Sequence, residues 1–600
     1  MSLRALTYRP LKASTEIRLV TLKRDKSSGA LFCQLESARL GKRFLRRRPK
    51  YVALSYTWGS PENTHMLRCG YHQRDNTYVQ IPTNLYDAML RISDNPDLHT
   101  YRFWMDSICI NQGDMRERAD QVGMMREIYR DACFVTVWLG ELDDELTKAC
   151  SLLLGLDRLC REEAYDDVMD AIFKTFEQED WKMCVRFFRN PWFTRVWVFQ
   201  EFVVARDVFF LHGNWMVHWK TMLNIVVSLL RFGNPVVWDK EASRSGEQLG
   251  IMVSFRLLTE SDEHDEYDFN PQKTLAFVVD QCRLLNSTDP RDRLFALHGL
   301  SIDGHARKSE IDYALSVEQV YTNFARHEVL HRKQLHFLCC ATLEGNYGLP
   351  SWVPDWTYRP PEGRHLSTAV FEVRSNDAPR DINCRISPDG ATLCVTGIIF
   401  SGIASIGPIY IAPHNLPYTT DAFEIDFKRI LEWYRTNFAI AQEAPEPYPN
   451  GQSLIEAFVR CQVLDDIANV SSPGPGSKMK KCSVGDGIRA LGRFGLRDGY
   501  EKGDLDSYGK GTDTGSEVYQ NKLKKSHRFC RTENGYFGWV PHATLATDLV
   551  ARIYSANTQF VLRAGEQPGT YRIVGECYLQ GVPVGVGVFA SDIGGEIALV

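Results

Sequence analysis

Strand-like and helix-like segments alternate at short spacing between residues 51 and 205 of this 600-residue chain. Three apolar, β-rich stretches, at residues 51–56, 101–110 and 133–140, are predicted strands, and residues between them repeat apolar positions at helical spacing. Strands that alternate with helices in this way form parallel sheets covered by helices. We therefore predict an α/β fold with a parallel sheet at about residues 50–215, which would bind ligands at the carboxyl ends of its strands.

The last predicted helix of this region carries one carboxylate on an otherwise apolar surface. Asn190 and Pro191 are typical of a helix start, so we predict a helix from Pro191 to about Ala205. Helical spacing places Glu201 on the same face as Trp197 and places Trp192 on the opposite face. An unpaired carboxylate on such a buried helix costs several kcal/mol or has a raised pKa. Glu201 is therefore predicted either to pair with an arginine or to face a functional cleft.

Polar and aromatic side chains follow the first two predicted strands. Ser55, Tyr56 and Trp58 lie at the end of the first strand, and Asp106 lies at the end of the second. Because parallel strands end at the same edge of a sheet, we expect these side chains to gather there. Glu201, on a helix after the third strand, is placed to join them.

Composition excludes several classes of protein. The net charge of −5 provides no general attraction for nucleic acid or an anionic membrane. No apolar run approaches the roughly 20 residues of a membrane-spanning helix, and the N-terminal residues lack the apolar segment of a secretory signal. The 16 cysteines contain no C-x-x-C pair. We predict a folded, multi-domain cytoplasmic protein with no nucleic-acid partner and no membrane span.

The chain is predicted to contain three regions. Residues 1–300 form the first domain, in which a helical extension follows the sheet core. Residues 301–375 comprise a helical segment and a stretch containing the sequence WVPDW. Residues 376–600 form a mixed, β-rich accessory region with a long loop at about 471–525, where Gly, Ser and Lys are frequent.

A motif within residues 301–375 suggests a different chemistry. His327, Glu328 and His331 match the H-E-x-x-H zinc signature, in which the two histidines bind the metal and the glutamate acts as a base. The longer form of this motif is absent, because Gln334 and Phe337 occupy its glycine and third histidine positions. We therefore predict that no metal is bound, and a zinc peptidase remains the third alternative.

Three long motifs resemble the fungal heterokaryon-incompatibility (HET) domain. They are ALSYTWG at residues 53–59, the stretch from WMDSICINQ to VTVWLG at residues 104–140, and WFTRVWVFQE at residues 192–201. The segments LKASTEIRLVTL, TDPRDRLFALHGL, LPSWVPDWT and GYFGWVPHATLATDLV resemble the longer architecture that accompanies this domain. The resemblance implies a role in non-self recognition that ends in regulated cell death, with a protein trigger whose identity the sequence does not reveal.

The HET domain is in turn distantly similar to Toll/interleukin-receptor (TIR) domains, several of which hydrolyse NAD with a glutamate on a helix after the third strand. This resemblance implies a TIR-like parallel sheet, NAD as the substrate without a further cofactor, and Glu201 as the catalytic residue. The nucleotide-binding residues that it implies are Ser55, Tyr56, Trp58, Asp106 and Trp197. Two mechanisms stay open: an enzyme that consumes NAD, and a non-catalytic signalling module that associates with itself as a homo-oligomer.

Overall fold

The computed structural model divides the chain into two compact units. Unit 1 comprises residues 1–268 and 273–314, and unit 2 comprises residues 269–272 and 315–600. The structure describes residues 4–13, 15–25, 28–40, 49–60, 62–72, 75–162, 177–232, 239–261, 274–301, 311–345, 347–359, 384–410, 420–463, 526–554, 556, 558–582 and 594–600. The predicted loop at about 471–525 lies outside these residues.

In the described part of unit 1, ten strands form one mixed sheet. They are β1 (Arg4–Ala5), β2 (Glu16–Arg24), β3 (Leu31–Arg39), β4 (Val52–Ser55), β5 (Thr64–Gly70), β6 (Thr77–Pro82), β7 (Arg102–Trp104), β8 (Val135–Trp138), β9 (Val208–His212) and β10 (Trp215–His218). Their order is β1-β6-β5-β3-β2-β7-β4-β8-β9-β10. The α/β class is therefore confirmed, but the prediction of a purely parallel sheet was wrong, because antiparallel strands extend it on both sides.

Four neighbouring strands form a continuous parallel run, β7-β4-β8-β9. Two further pairs of the sheet, β3 with β5 and β1 with β6, are also parallel. Every residue of β4 and β8 is buried, which explains why both strands are predominantly apolar in sequence. Within this run β4 comes first in the chain, β7 second and β8 third. The chain therefore passes from β4 to β7 on one side of β4 and then crosses to β8 on the other side. Such a switch point, here between β4 and β8, opens a crevice at the carboxyl ends of the strands.

The helices of unit 1 connect and cover these strands. They are α1 (Thr83–Asp94), α2 (Asp106–Cys109), α3 (Met115–Val122), α4 (Met125–Asp131), α5 (Asp144–Glu162), α6 (Gln178–Phe188), α7 (Val196–Val203), α8 (Trp219–Phe232), α9 (Lys240–Ser261), α10 (Leu275–Gln281) and α11 (Asp292–Phe295), with 3-10 turns at Pro191–Thr194 and His298–Leu300. The second predicted strand is shorter than expected, because the chain enters α2 at Asp106.

The prediction of one continuous helix from Pro191 to about Ala205 was wrong. A 3-10 turn covers Pro191–Thr194, Arg195 is extended (φ −82°, ψ 139°), and α7 begins only at Val196. The break is held by a distant segment. The Asn286 carbonyl accepts from the Val196 amide at 2.9 Å, and the Asn286 amide donates to the Thr194 carbonyl at 2.5 Å. These bonds replace helical ones at this point, so tertiary pairing overrides the local helix signal.

In the described part of unit 2, a ring of strands forms a barrel-like sheet. Its strands are β11 (Cys384–Ile386), β12 (Leu393–Ile406), β13 (His527–Thr532), β14 (Phe537–Pro541), β15 (Leu549–Ile553), β16 (Gln559–Ala564), β17 (Thr570–Leu579) and β18 (Gly595–Leu599). The ring β12-β13-β14-β17-β16-β15 closes because β15 pairs with β12. The long strand β12 pairs with β11, β13, β15 and β18. Its register shifts between Ile399 and Ser401 against β15, and between Ile403 and Ser405 against β13.

Helices complete unit 2. They are α12 (Val317–Leu330), α13 (Thr420–Gln442) and α14 (Leu454–Val463), with a 3-10 turn at His336–Cys340. Side chains of α13 and α14 share an aromatic core with the sheet, in which Trp433 stacks on Trp539 with ring centroids 5.8 Å apart. The predicted β-rich character of the C-terminal region is therefore confirmed for the described residues, whose strands pair antiparallel except for β17 with β18. Among those residues, no helix combines the length and apolar character needed to cross a bilayer.

Candidate functional site

The carboxyl end of β4 meets α7 in a short chain of hydrogen bonds. Ser55, the last residue of β4, donates through its hydroxyl to Oε2 of Glu201. The same hydroxyl accepts from the indole N–H of Trp192 at 2.7 Å. Only 1% of Ser55 and 4% of Glu201 are exposed. The three residues therefore hold one buried carboxyl group in a fixed orientation beside the switch point of the sheet.

Trp192 joins this group because of the helix break. In a continuous helix it would lie opposite Glu201, as we predicted, but the 3-10 turn and the extended Arg195 redirect it towards Ser55. The sequence signal that could have located it is the N-cap. Asn190 accepts from the Trp192 amide at 3.0 Å and donates through its side chain to the carbonyl of Leu139, just beyond β8. The turn is thereby attached to the neighbouring strand.

A second group of predicted site residues lies directly after β4. The Tyr56 hydroxyl donates to Oδ1 of Asp106 at 2.7 Å and contacts the Ser107 hydroxyl at 2.8 Å. The Trp58 indole N–H donates to Oδ2 of Asp106 at 2.9 Å, although 41% of Trp58 is exposed. Each carboxylate oxygen of Asp106 thus accepts a hydrogen bond from an aromatic side chain. Asp106 therefore orients Tyr56 and Trp58.

Arg195 connects the two groups. Its guanidinium donates to the main-chain carbonyl of Tyr56, and its positive charge lies close enough to Glu201 to act on that carboxyl group. Because Arg195 is extended between the 3-10 turn and α7, its backbone is held by the pairing with Asn286. The structure thus brings Ser55, Tyr56, Asp106 and Glu201 to one edge of the sheet.

Glu201 has unusual acid–base properties. Burial raises the pKa of the Glu201 carboxyl group to about 7. The Arg195 charge and the Ser55 hydrogen bond lower it in part, whereas the charge of Asp106 raises it further. A carboxyl group with a pKa near neutrality exchanges protons readily under physiological conditions, a property typical of functional sites.

This raised pKa predicts a pH-dependent loss of stability. Unfolded Glu201 ionises near its ordinary pKa of 4.5, whereas the folded group keeps its proton up to about pH 7. The folded state therefore binds more protons between these values, and its stability falls as the pH rises through that window. Glu201→Gln is neutral at every pH. Its free energy of unfolding should match the wild-type value at pH 4 and exceed it by roughly 3 kcal/mol at pH 8, as measured by urea denaturation. An equal difference at both pH values would contradict the assignment.

Trp197 makes its polar contact away from the carboxyl group of Glu201. It lies one helical turn before Glu201 on α7, is half-buried, and donates through its indole N–H to Oδ2 of Asp292 at 3.0 Å. Sequence reasoning did not identify Asp292 as part of the site. The sequence feature that could have pointed to Asp292 is the TDPRDR segment, in which it follows a turn-forming Asp-Pro pair.

The end of α7 is also held by a residue that the sequence did not reveal. Arg256, on α9, is almost fully buried and donates to the carbonyls of Phe202 at 2.9 Å and Arg206 at 2.7 Å. These carbonyls belong to the last turn of α7 and the residues after it, where a cation also interacts favourably with the helix dipole. Both ends of the helix that carries Glu201 are therefore fixed.

The residues of the rival zinc signature form part of α12 and its end. The rings of His327 and His331 lie 4.8 Å apart, and Glu328 is buried with Oε2 3.7 Å from Nε of Arg332. Within the described residues, no group of three or more His, Cys, Asp or Glu side chains is arranged to hold a metal ion.

The comparisons with known proteins agree with the resemblance found in the sequence. Residues 51–201 match the family model of the heterokaryon incompatibility protein (HET), from the residue before β4 to Glu201 itself. The chain thus contains a HET domain. It is also 26% identical, over an alignment of 666 positions, to a Neurospora crassa protein named heterokaryon incompatibility protein 6, OR allele. That alignment covers 95% of this chain and 94% of the Neurospora protein. No solved structure matches the chain.

Proposed function

We propose that this HET-domain protein hydrolyses the bond between nicotinamide and ribose in NAD at the Glu201 site, as part of a cell-death response to non-self. The HET domain and the name of the Neurospora relative support the cellular role. The observation that carries the chemical proposal is the buried Glu201 carboxyl group, held by Ser55 at the carboxyl end of the first parallel strand. Ligands of doubly wound sheets bind at this place.

The arrangement of the parallel strands supports a TIR-like core. The run β7-β4-β8-β9 places the first strand between the second and the third. Glu201 lies on α7, between the third and fourth parallel strands, as the resemblance to TIR domains implies. The site is therefore built from the ends of neighbouring strands and one following helix.

The chemistry requires a negative charge beside the ribose. Water cleaves NAD into nicotinamide and ADP-ribose with release of one proton, and the departing bond leaves positive charge on the ribose carbon. A preorganised carboxylate stabilises such an oxocarbenium-like state and accepts hydrogen bonds from ribose hydroxyls. Ionised Glu201 performs this role, while the Trp192 and Ser55 hydrogen bonds fix its orientation.

Aromatic side chains supply the remaining recognition. Trp58 is exposed, and the bond from its indole N–H to Asp106 fixes the direction of its ring, so it forms a rigid surface for stacking against a flat base. Trp197 is half-buried one turn from Glu201 and offers a second such surface. Tyr56 is buried and serves to hold the strand end in place.

The alternative is a non-catalytic module that signals by self-association after an activating protein binds. The near-complete burial of Glu201 favours it, because a substrate must first displace neighbouring groups, the bond from Arg195 to the Tyr56 carbonyl among them. Under the enzymatic proposal, the same burial means that the trigger or a homo-oligomer opens the site.

A comparison of NAD with its reduced form tests the proposal. The purified full chain is incubated with NAD or NADH, and free nicotinamide or dihydronicotinamide is followed by chromatography. We expect release from NAD and at least a hundredfold less from NADH, because only the oxidised ring leaves as a neutral molecule and places charge on ribose for Glu201 to stabilise. Equal release from both, or none from NAD even after forced dimerisation, would refute the hydrolase.

A further inference from the structure

We propose that Asp292 is a positioning residue of the NAD site, which fixes the ring of Trp197 from a segment beyond the matched HET residues 51–201. The inference rests on the proposed function. Asp292 is 7% exposed and receives one donor on each carboxylate oxygen. The Trp197 indole donates to Oδ2 at 3.0 Å, and the Tyr313 hydroxyl donates to Oδ1 at 2.7 Å. The hydrogen bond to Asp292 therefore fixes the plane of the Trp197 indole, in addition to the packing around its rings.

Tyr313 is itself held firmly. The guanidinium carbons of Arg118 and Arg291 lie 4.5 and 5.3 Å from the centre of its ring. Arg291 also donates to the Tyr313 carbonyl at 2.7 Å and binds both carboxylate oxygens of Asp289, at 2.9 and 2.7 Å. Asp292 therefore receives its second hydrogen bond from a side chain that two cations immobilise.

The same segment touches α7 at two further points. Asn286 pairs with the backbone at the start of the helix, as described above. Gly299 packs so closely that a Cβ atom there would lie 2.9 Å from Cβ of Arg126 and 3.2 Å from Cδ of Gln200. Contacts at Asn286, Asp292 and Gly299 together set the rotation of α7, and hence the positions of Trp197 and Glu201 relative to the end of β4. Asn286, Asp292 and Gly299 thus contribute to the site although they follow the matched domain.

A purely structural role for Asp292 explains less of this geometry. Replacing a buried charged network by apolar residues of similar volume is often neutral or stabilising, so packing alone does not call for a carboxylate here. A carboxylate does specify the direction of the indole N–H, which an apolar neighbour would leave free. The face of the indole is then presented to a planar ligand in one orientation.

The test is the kinetics of variants of the full chain with NAD. Asp292→Leu removes the acceptor at similar volume, and Asp292→Asn retains an oxygen that can accept from Trp197. We expect Asp292→Leu to raise KM about five- to tenfold with kcat within about twofold, because a stacked ring is bound alike in the ground and transition states. Asp292→Asn should keep KM within about twofold of wild type. Wild-type KM in Asp292→Leu, or lower kcat at unchanged KM as for partial unfolding, would overturn the proposal.

A double-mutant cycle distinguishes loss of the Trp197–Asp292 hydrogen bond from poor folding of Asp292→Leu. Trp197→Phe lacks the indole donor but keeps a ring, so it should raise KM similarly, and Tyr313→Phe should have a smaller effect in the same direction. Tyr51→Phe is the matched control, since it also removes one buried tyrosine hydroxyl bond, to the Ile128 carbonyl at 2.6 Å, and should leave KM unchanged.

The cycle also separates this proposal from the function on which it rests. In the Trp197→Phe background, Asp292→Leu should change KM by less than twofold, because the bond that it breaks is already absent. Effects that simply multiply would show that Asp292 acts without Trp197 and would overturn the positioning role. An inactive wild type would overturn both proposals. An active wild type whose Asp292 variants have unchanged KM would overturn this one alone.

Discussion

Glu201→Gln should reduce kcat for NAD hydrolysis by at least a hundredfold while KM changes little. Glutamine keeps the shape of the side chain and an oxygen that accepts from Ser55, but it carries no negative charge. Loss of one preorganised electrostatic group lowers catalytic rates on this scale. The variant should also remain folded, and it should be more stable than wild type at pH 8, because the penalty of an ionised, buried carboxylate is gone.

Glu576→Gln is the matched control for this experiment. Glu576 is another nearly fully buried glutamate, but it belongs to β17 in unit 2, whereas the site is built from residues of unit 1. Its replacement should leave NAD turnover unchanged. If Glu201→Gln and Glu576→Gln behave alike, or if Glu201→Gln loses activity only because it unfolds, Glu201 has no catalytic role.

Glu117→Leu should lower the free energy of unfolding by about 3 to 5 kcal/mol. Arg18 is 0% exposed, and its guanidinium binds both carboxylate oxygens of Glu117 at 2.5 and 2.9 Å. It also donates to the carbonyls of Cys109 at 2.9 Å and Arg9 at 2.7 Å, so Arg18 connects β2 to the end of α2 as well as to Glu117 on α3. Without Glu117 a buried guanidinium loses its counter-charge, which is strongly destabilising.

A surface pair provides the comparison for that measurement. Arg102 and Glu36 also form an ion pair across strands of unit 1, at 2.8 Å, but both side chains are substantially exposed. Glu36→Gln should therefore change the free energy of unfolding by less than about 1 kcal/mol in the same urea titration. Similar losses for Glu117→Leu and Glu36→Gln would contradict the structural importance assigned to the buried pair.

The parallel core and the gathering of polar residues at its edge were accessible from the sequence. Continuous apolar strands such as β4 and β8 are recognisable without a structure, and residues that end parallel strands must lie at one edge. The meeting of Ser55 and Glu201 follows from that rule together with the resemblance to HET and TIR domains. The antiparallel strands β2 and β3 and the closure of the unit 2 ring depend on pairings between distant residues, which local patterns do not specify.

The missed parts of the site have one physical cause. The helix signal from Pro191 onward is strong, yet the chain is extended at Arg195 because Asn286 pairs with its neighbours. That pairing moves Trp192 to Ser55, contrary to the helical projection. The bond between Trp197 and Asp292 likewise joins residues far apart in the chain. Hydrophobic periodicity describes each segment alone and does not predict such contacts.

The most direct test of NAD hydrolysis at Glu201 is a product balance for NAD. Wild-type protein, assayed alone and after forced self-association, is incubated with NAD while NAD, nicotinamide and ADP-ribose are quantified together. We predict that nicotinamide and ADP-ribose appear in equal amounts as NAD disappears, and that Glu201→Gln slows the formation of both at least a hundredfold. Unchanged NAD in every wild-type sample, with a protein that still triggers cell death when expressed in a fungal host, would contradict the enzymatic account and establish the self-associating signalling module in its place.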